Sequence, residues 1–193
     1  MKKKELLLHI CCAPCLIVPH LYLSDNFNIR GLWYNPNIHP LSEYLKRLEA
    51  LEKFSLDKNI EVIFQSEYAL FEFFQKCVFR EEQRCLFCYE QRLLKTARIA
   101  KNGNFDCFST TLLQSHQQDR PLIIQLGMDI AKKFDIEFFC YDLRSNWSEG
   151  VAISKETGLY RQQYCGCIYS EYDRYKQDLM KKKELLRNGS NKI

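Results

Sequence analysis

At 193 residues the chain is long enough for one compact domain with a full core. A composition of 46% hydrophobic and 27% charged residues with only seven glycines excludes a disordered or low-complexity chain. The formal charge of +4, drawn partly from the lysine-rich ends MKKKE and MKKKELLRNGSNKI, permits a polyanionic partner without demanding one.

In chain order, three lysines followed by leucines have the look of a secretory signal, which would turn the ten cysteines into a disulfide framework. Glu5 and His9 interrupt the apolar run, no small-residue cleavage site follows, and no stretch is long enough to span a membrane. A cytoplasmic protein is therefore expected. There, clustered thiols more often bind metal or do redox chemistry than staple a fold.

LLLHI (6–10) reads as a buried strand running into a loop that carries cysteine and proline, and CLIVPHLYLSD (15–25) as a helix in which Pro19 is awkward. NIRGLWYNPN is a second strand ending in an Asn-Pro turn. In the following segment, 41–59, Tyr44, Leu45, Leu48, Leu51 and Phe54 form one helical stripe. IEVIFQ is a third strand, 82–100 a helix, FDCFSTTLL a fourth strand, and 121–134 a helix capped by Asp119 with Pro121 in its first turn. IEFFCYDL is the fifth strand, SEGVAISKETG a short helix stopped by Gly158, and SEYDRYKQDLMKKKELL a last helix capped by Ser170. Strands alternating with helices predict a three-layer α/β sandwich with a mostly parallel sheet, in a single domain over 1–187 followed by a flexible tail over 188–193. The loops HICCAPC, YNPNIHP, STTLLQSHQQD and DLRSNW all follow strands and would meet at one rim, where such sheets bind ligands.

Three thiol groups stand out. Cys11, Cys12 and Cys15 fall within five positions, a spacing that can aim two or more sulfurs at one ion, although small buried hydrophobes at a strand end would also read this way. In RCLFCYEQR, Cys85, Cys88 and Arg92 share a helix face; the CxxC is a dithiol redox pair, half a zinc site, or two cysteines on a core stripe. Together the two groups could supply four thiolates, enough for zinc or an iron-sulfur cluster, with Arg84 and Arg92 offsetting the charge. The third group, Cys165 and Cys167 around Gly166, would close a small, strained and easily reduced ring on oxidation, which suits electron cycling; extra metal ligands and inert burial are the alternatives. Cys77, Cys107 and Cys140 stand alone and read as core, and His20 and His116 as surface or satisfied histidines.

HICCAPC, YNPNIHPLSEYLKR, RCLFCYEQR, STTLL and SKETGLYRQQYCGCIYS, in this order across nearly the whole chain, resemble the QueH type of epoxyqueuosine reductase. The resemblance implies an enzyme that removes the epoxide oxygen of epoxyqueuosine in tRNA to give queuosine. It implies a fold like that of the adenine nucleotide alpha hydrolases, a [4Fe-4S] cluster on Cys11, Cys12, Cys85 and Cys88, and a redox-active disulfide between Cys165 and Cys167. CCAPC stands where ATP-using relatives of that fold carry a glycine-rich phosphate loop, so no ATP use is expected. After TTLL the chain reads QSHQQD instead of a Ser-Pro-Tyr type of continuation, which leaves that loop without an assigned substrate role.

Loss of the epoxide oxygen as water takes two electrons and two protons. The dithiol would store the pair, an external electron donor would recharge it, and cluster iron, or an additional iron with Cys15 as a ligand, would act as Lewis acid. Asp142 or Tyr164 could give a proton, although Asp142 could equally pair with Arg144 or Arg161. Tyr34, Trp33, Tyr160, Arg161, Tyr164 and the C-terminal lysines are candidates for binding RNA by stacking and phosphate contact. Two other readings are a cluster-dependent tRNA sulfurtransferase using the CxC pair as persulfide carrier, and a zinc-binding RNA-binding module without catalysis.

Overall fold

The structure, a computed structural model, describes residues 2–190, with the side chains of 188–190 left out of the description. Five strands form one sheet in the order β3-β2-β1-β4-β5, parallel throughout. They are β1 (Lys4–His9), β2 (Phe27–Tyr34), β3 (Val62–Gln65), β4 (Cys107–Thr110) and β5 (Glu137–Phe138). β1 is the middle strand, and Leu6, Leu7 and Leu8 are wholly buried because both faces of the sheet are covered.

The helices are α1 (Ala13–Leu23), α2 (Leu41–Asp57), α3 (Leu70–Cys77), α4 (Arg84–Asn102), α5 (Arg120–Phe134), α6 (Trp147–Glu156) and α7 (Ile168–Ser190). α1 packs with α2 and α6, and α4 packs with α5 beneath β1 and β4. Right-handed crossovers require this arrangement: the chain first steps outward from β1 through β2 to β3, then returns to place β4 on the other side of β1. The reversal creates a switch point at the carboxyl ends of β1 and β4, and there the Cys11 N–H donates to Thr111 Oγ1 at 3.0 Å, tying the two diverging loops together.

The three-layer α/β expectation holds, and several local expectations need correction. α1 begins two residues earlier than its sequence signals suggest and keeps Pro19 inside it, so the Cys15 carbonyl has no main-chain donor four residues on. The fifth strand forms ladder pairs only over Glu137 and Phe138. The Phe139 N–H donates to the Phe108 carbonyl, and beyond it Ser109 Oγ donates to the Phe139 carbonyl and Tyr141 OH donates to the Thr110 carbonyl, so side chains continue where the ladder stops. Asp119 caps α5 as expected, accepting from the Leu122 N–H at 3.1 Å. Ser170 does not cap α7: the helix starts at Ile168, and Ser170 Oγ reaches back to accept from the Gly166 N–H at 3.0 Å. α3 has no counterpart among the elements read from the sequence. The expected tail overlaps the end of α7 over 188–190, and 191–193 lie outside the described residues.

On α2 the buried stripe is rotated from the apolar one. Tyr44, Leu51 and Phe54 face inward as expected, Leu45 is exposed, and Glu43 and Arg47 are buried in its place. α5 approaches the sheet through Gly127, where a Cβ would stand 2.4 Å from Phe138 Cε1. Gly127→Ala is accordingly expected to destabilise the fold by about 1–3 kcal/mol through overpacking, measured as a lower urea midpoint at constant m.

Candidate active site

The loop leaving β1 turns directly into α1, and this brings three sulfurs to one point. The Cys11, Cys12 and Cys15 side chains are buried, and their sulfurs all lie within 4.8 Å of one another. Among the described residues they form the one group of three or more metal-ligating side chains so placed. The ten cysteines are all unbridged.

Contacts within the trio move its thiols in opposite directions, one down and two up. Cys11 is held well below the ordinary thiol range by hydrogen bonding from Cys12 and Cys15, outweighing its burial, with Thr111 Oγ1 3.3 Å away adding to the effect. Cys12 is pushed up by burial and then by Cys11, and Cys15 by hydrogen bonding to Cys11 and Cys12. A cation replacing the shared protons would relieve both, because metal binding and thiol deprotonation are coupled.

α4 supplies the second thiol group. Burial pushes Cys88 up to about 12, opposed by Arg92 and by the Asn37 side chain; Cys85 is raised by burial and then by Cys165. Arg92, 2% exposed, donates from Nε and Nη2 to Asn37 Oδ1 at 3.2 and 2.7 Å. Burial opposes its charge, but Cys88, Cys165 and Cys11 together raise its pKa, so one guanidinium stands in the field of all three thiol groups. Arg84, paired with it in the sequence reading, lies outward on Asp173 at 2.9 Å.

Cys165 and Cys167 lie on the segment before α7, held by contacts the sequence reading did not include. Arg47 Nη1 donates to the Cys165 carbonyl at 2.7 Å and Nη2 to the Tyr164 carbonyl at 3.0 Å, while Nε pairs with Glu43 Oε1 at 2.7 Å. The His39 N–H donates to the Gly166 carbonyl at 2.8 Å and Tyr164 OH donates to the His39 carbonyl at 2.7 Å. Cys165 has an exposed surface, yet burial of its sulfur raises its pKa, moderated first by Gln118 Nε2 at 3.1 Å and then by Arg92.

The remaining candidates fall in differing places. Asp142 accepts from Arg144 Nε at 2.8 Å and Nη2 at 2.7 Å, with Arg120 at 3.8 Å; hydrogen bonding to Arg144 holds it well below the carboxylate range. The ion pair is thus the arrangement present, and a carboxylate so held has no proton to give at neutral pH. Trp33 is fully buried with Nε1–H on Tyr44 OH, which takes it out of reach of RNA. Tyr34 is buried under Lys95, whose Nζ is 4.9 Å from the ring centroid. Tyr160 OH donates to Glu43 Oε2, and Lys46 lies over its ring, so Tyr160 and Tyr164 both use their hydroxyls to brace the CxC segment. Arg161 is exposed and lines a cleft shared with α1 and α6.

His9 and Arg47 were not singled out from the sequence. His9 is buried, with Nε2 3.1 Å from the Tyr34 carbonyl, which makes Nε2 the protonated nitrogen, and Nδ1 2.9 Å from Thr110 Oγ1. Burial and then Arg92 bring its pKa down to about 4, so a neutral imidazole braces the strand ends next to the thiols. Its position inside an apolar strand was the available signal, and Arg47's was its place four residues after Glu43.

The family model for epoxyqueuosine reductase QueH matches residues 6–173. The epoxyqueuosine reductase QueH of Dehalococcoides mccartyi is 38% identical over 172 residues, covering 89% of this chain and 94% of the relative. That of Thermotoga maritima is 37% identical over 178 residues, covering 87% and 91%. Among solved structures, the U34-tRNA thiolase NcsA from Methanococcus maripaludis with its [4Fe-4S] cluster is similar at 13% identity and a TM-score of 0.45, over 81% of this chain and 68% of that one.

Proposed function

The chain belongs to the QueH family of epoxyqueuosine reductases, oxidoreductases acting on tRNA, and from that premise we propose how its own residues carry out the reaction. The substrate is tRNA bearing epoxyqueuosine, and the product is queuosine at the same position. Cys165 and Cys167 as dithiol give two electrons and two protons: the epoxide C–O bonds break, the oxygen leaves as water, an alkene forms, and the two sulfurs join as a disulfide. The dithiol thus supplies both protons, so no separate carboxylic acid is required. An external electron donor then returns the disulfide to the dithiol.

Cys11, Cys12, Cys85 and Cys88 would hold a [4Fe-4S] cluster and Cys15 an additional iron, supplying one-electron transfer and Lewis-acid assistance. The trio supports such a group in part, whereas Cys85 and Cys88 do not fall within it. Three sulfurs are gathered within 4.8 Å, and a buried Arg92 is available to balance thiolate charge from both loops. The three buried sulfurs gathered at the end of β1 are the observation that carries this reading. His9 and Thr111 tie the β1 and β4 ends together, and Arg47 holds the backbone of the dithiol segment. In this reading ATP has no part.

The test is an anaerobic assay with epoxyqueuosine-bearing tRNA and dithionite, read by nucleoside mass beside an iron and sulfide count. Queuosine should form with brown protein, and an excess of iron over sulfide would mark the additional ion. Cys88→Ser is expected to lose most of the colour and all turnover. Colourless wild-type protein containing stoichiometric zinc would overturn the cluster assignment.

A further inference from the structure

α7 starts at the residue after Cys167 and is anchored only at its base. The Glu171 N–H donates to the Cys167 carbonyl at 3.1 Å, and Arg84, at the start of α4, holds Asp173 at 2.9 Å. Every residue from Tyr172 to Arg187 is exposed, a projecting length of about 24 Å at the rise of an α-helix. Helices in proteins draw most of their stability from a packed face, and among the described residues this stretch has none.

The side chains of this stretch are sorted around the helix axis. Tyr172, Tyr175, Lys176, Leu179, Lys182 and Lys183 fall within an arc of about 120°, with Arg187 at its edge. The carboxylates of Glu171, Asp173, Asp178 and Glu184 all lie outside that arc. Asp173 is occupied by Arg84 and Lys176, whereas Lys182 and Lys183 make no ion pair among the described residues. Lys176 Nζ stands 6.0 Å from the Tyr172 ring centroid, so cation and ring share one side of the helix. Exposed rings and cations without an intervening acid call for a partner that is both anionic and aromatic.

A second copy of the chain does not meet that requirement. Parallel pairing through this face would set each lysine against its equivalent, and antiparallel pairing about Leu179 would set Lys182 against Lys176. A single-stranded or looped nucleic acid meets it, because its phosphates take the cations and its bases present faces to the tyrosines.

On the reductase reading, on which this rests, we propose that α7 is an arm that holds the tRNA outside the reacting base. Lys182, Lys183 and Arg187 meet phosphates, and Tyr172 and Tyr175 meet unstacked base faces. Because the arm springs directly from the CxC segment, RNA laid along it leads to the dithiol end. The C-terminal lysines are thereby divided: Lys181 points away from the binding face.

The experiment measures binding of epoxyqueuosine-bearing tRNA by fluorescence anisotropy over a salt series, with anaerobically prepared full-length protein. Lys182→Gln combined with Lys183→Gln should weaken binding by about tenfold and flatten the slope of log Kd against log salt by about 1.5. Tyr172→Ala should weaken it by about fivefold or more, and Tyr172→Phe should restore most of the loss. Lys181→Gln should change it by less than about twofold. All these positions are exposed, so the variants should keep the wild-type urea midpoint and iron content. A double variant that binds like wild type with an unchanged slope would overturn the arm, as would equal losses in the single variants Lys181→Gln and Lys182→Gln. Light scattering that shows a dimer dissociated by the double substitution would overturn it in favour of self-association. Wild type that binds the tRNA through these residues and forms no queuosine would instead strike the reductase reading and leave the arm standing.

Discussion

Cys165→Ser is expected to abolish multiple turnover, lowering kcat by at least about a thousandfold, while leaving the visible absorption and iron content of the protein unchanged. The expectation follows from electron count. Reduction of one epoxide takes two electrons, and a serine beside Cys167 leaves no partner with which that sulfur can form the intrachain disulfide. The substitution is also mild for the fold, because Arg47 and His39 hold this segment through the Cys165, Tyr164 and Gly166 carbonyls, which serine keeps. Gly166, at φ +157°, lies where glycine is favoured and a Cβ would stand 3.3 Å from Ile38 Cγ1, so the pair keeps its backbone path. Loss of the visible absorption in Cys165→Ser would mean that Cys165 ligates metal, and the proposed division between metal thiols and redox thiols would fail.

Arg47→Met should cost about 3–5 kcal/mol of stability, seen as a lower urea midpoint, together with a loss of reductase activity in the protein that remains folded. Arg47 and Glu43 have side chains 1% and 8% exposed, and their ion pair is the innermost among the described residues. Removing the guanidinium leaves the Glu43 carboxylate buried with only Tyr160 OH, and it releases the carbonyls of Tyr164 and Cys165. Pairing the change with Glu43→Gln should recover part of the stability and none of the tethering. Stability restored without activity is the expected pattern; a single variant within about 1 kcal/mol of wild type would show that the pair does not organise the segment.

Much of this arrangement was legible in the residues. The order of strands and helices followed from short apolar runs and periodic stripes, and the parallel sheet from their alternation. The rim placement of CCAPC and STTLL followed from their position after strands, and the structure links them through Cys11 and Thr111. What escaped was polar burial. An apolar stripe on α2 predicts Leu45 inside, whereas the fold spends that face on Glu43 and Arg47, because the carbonyls of a distant segment need donors. Periodicity carries no information about such tertiary partners. For Asp142 the pairing with Arg144 was legible from the sequence, whereas the second arginine on it is Arg120 from α5 and not Arg161.

The thiol trio grows from the end of β1, which is flanked on both sides over its last four residues: β2 pairs with all six of its residues and β4 with those four. The dithiol, by contrast, sits on a peripheral segment with Cys165 at the surface. Air exposure that strips an oxygen-sensitive centre should therefore leave a native scaffold with its sulfurs still gathered. Reconstitution with ferrous iron and sulfide under reducing conditions is then expected to proceed without a refolding step.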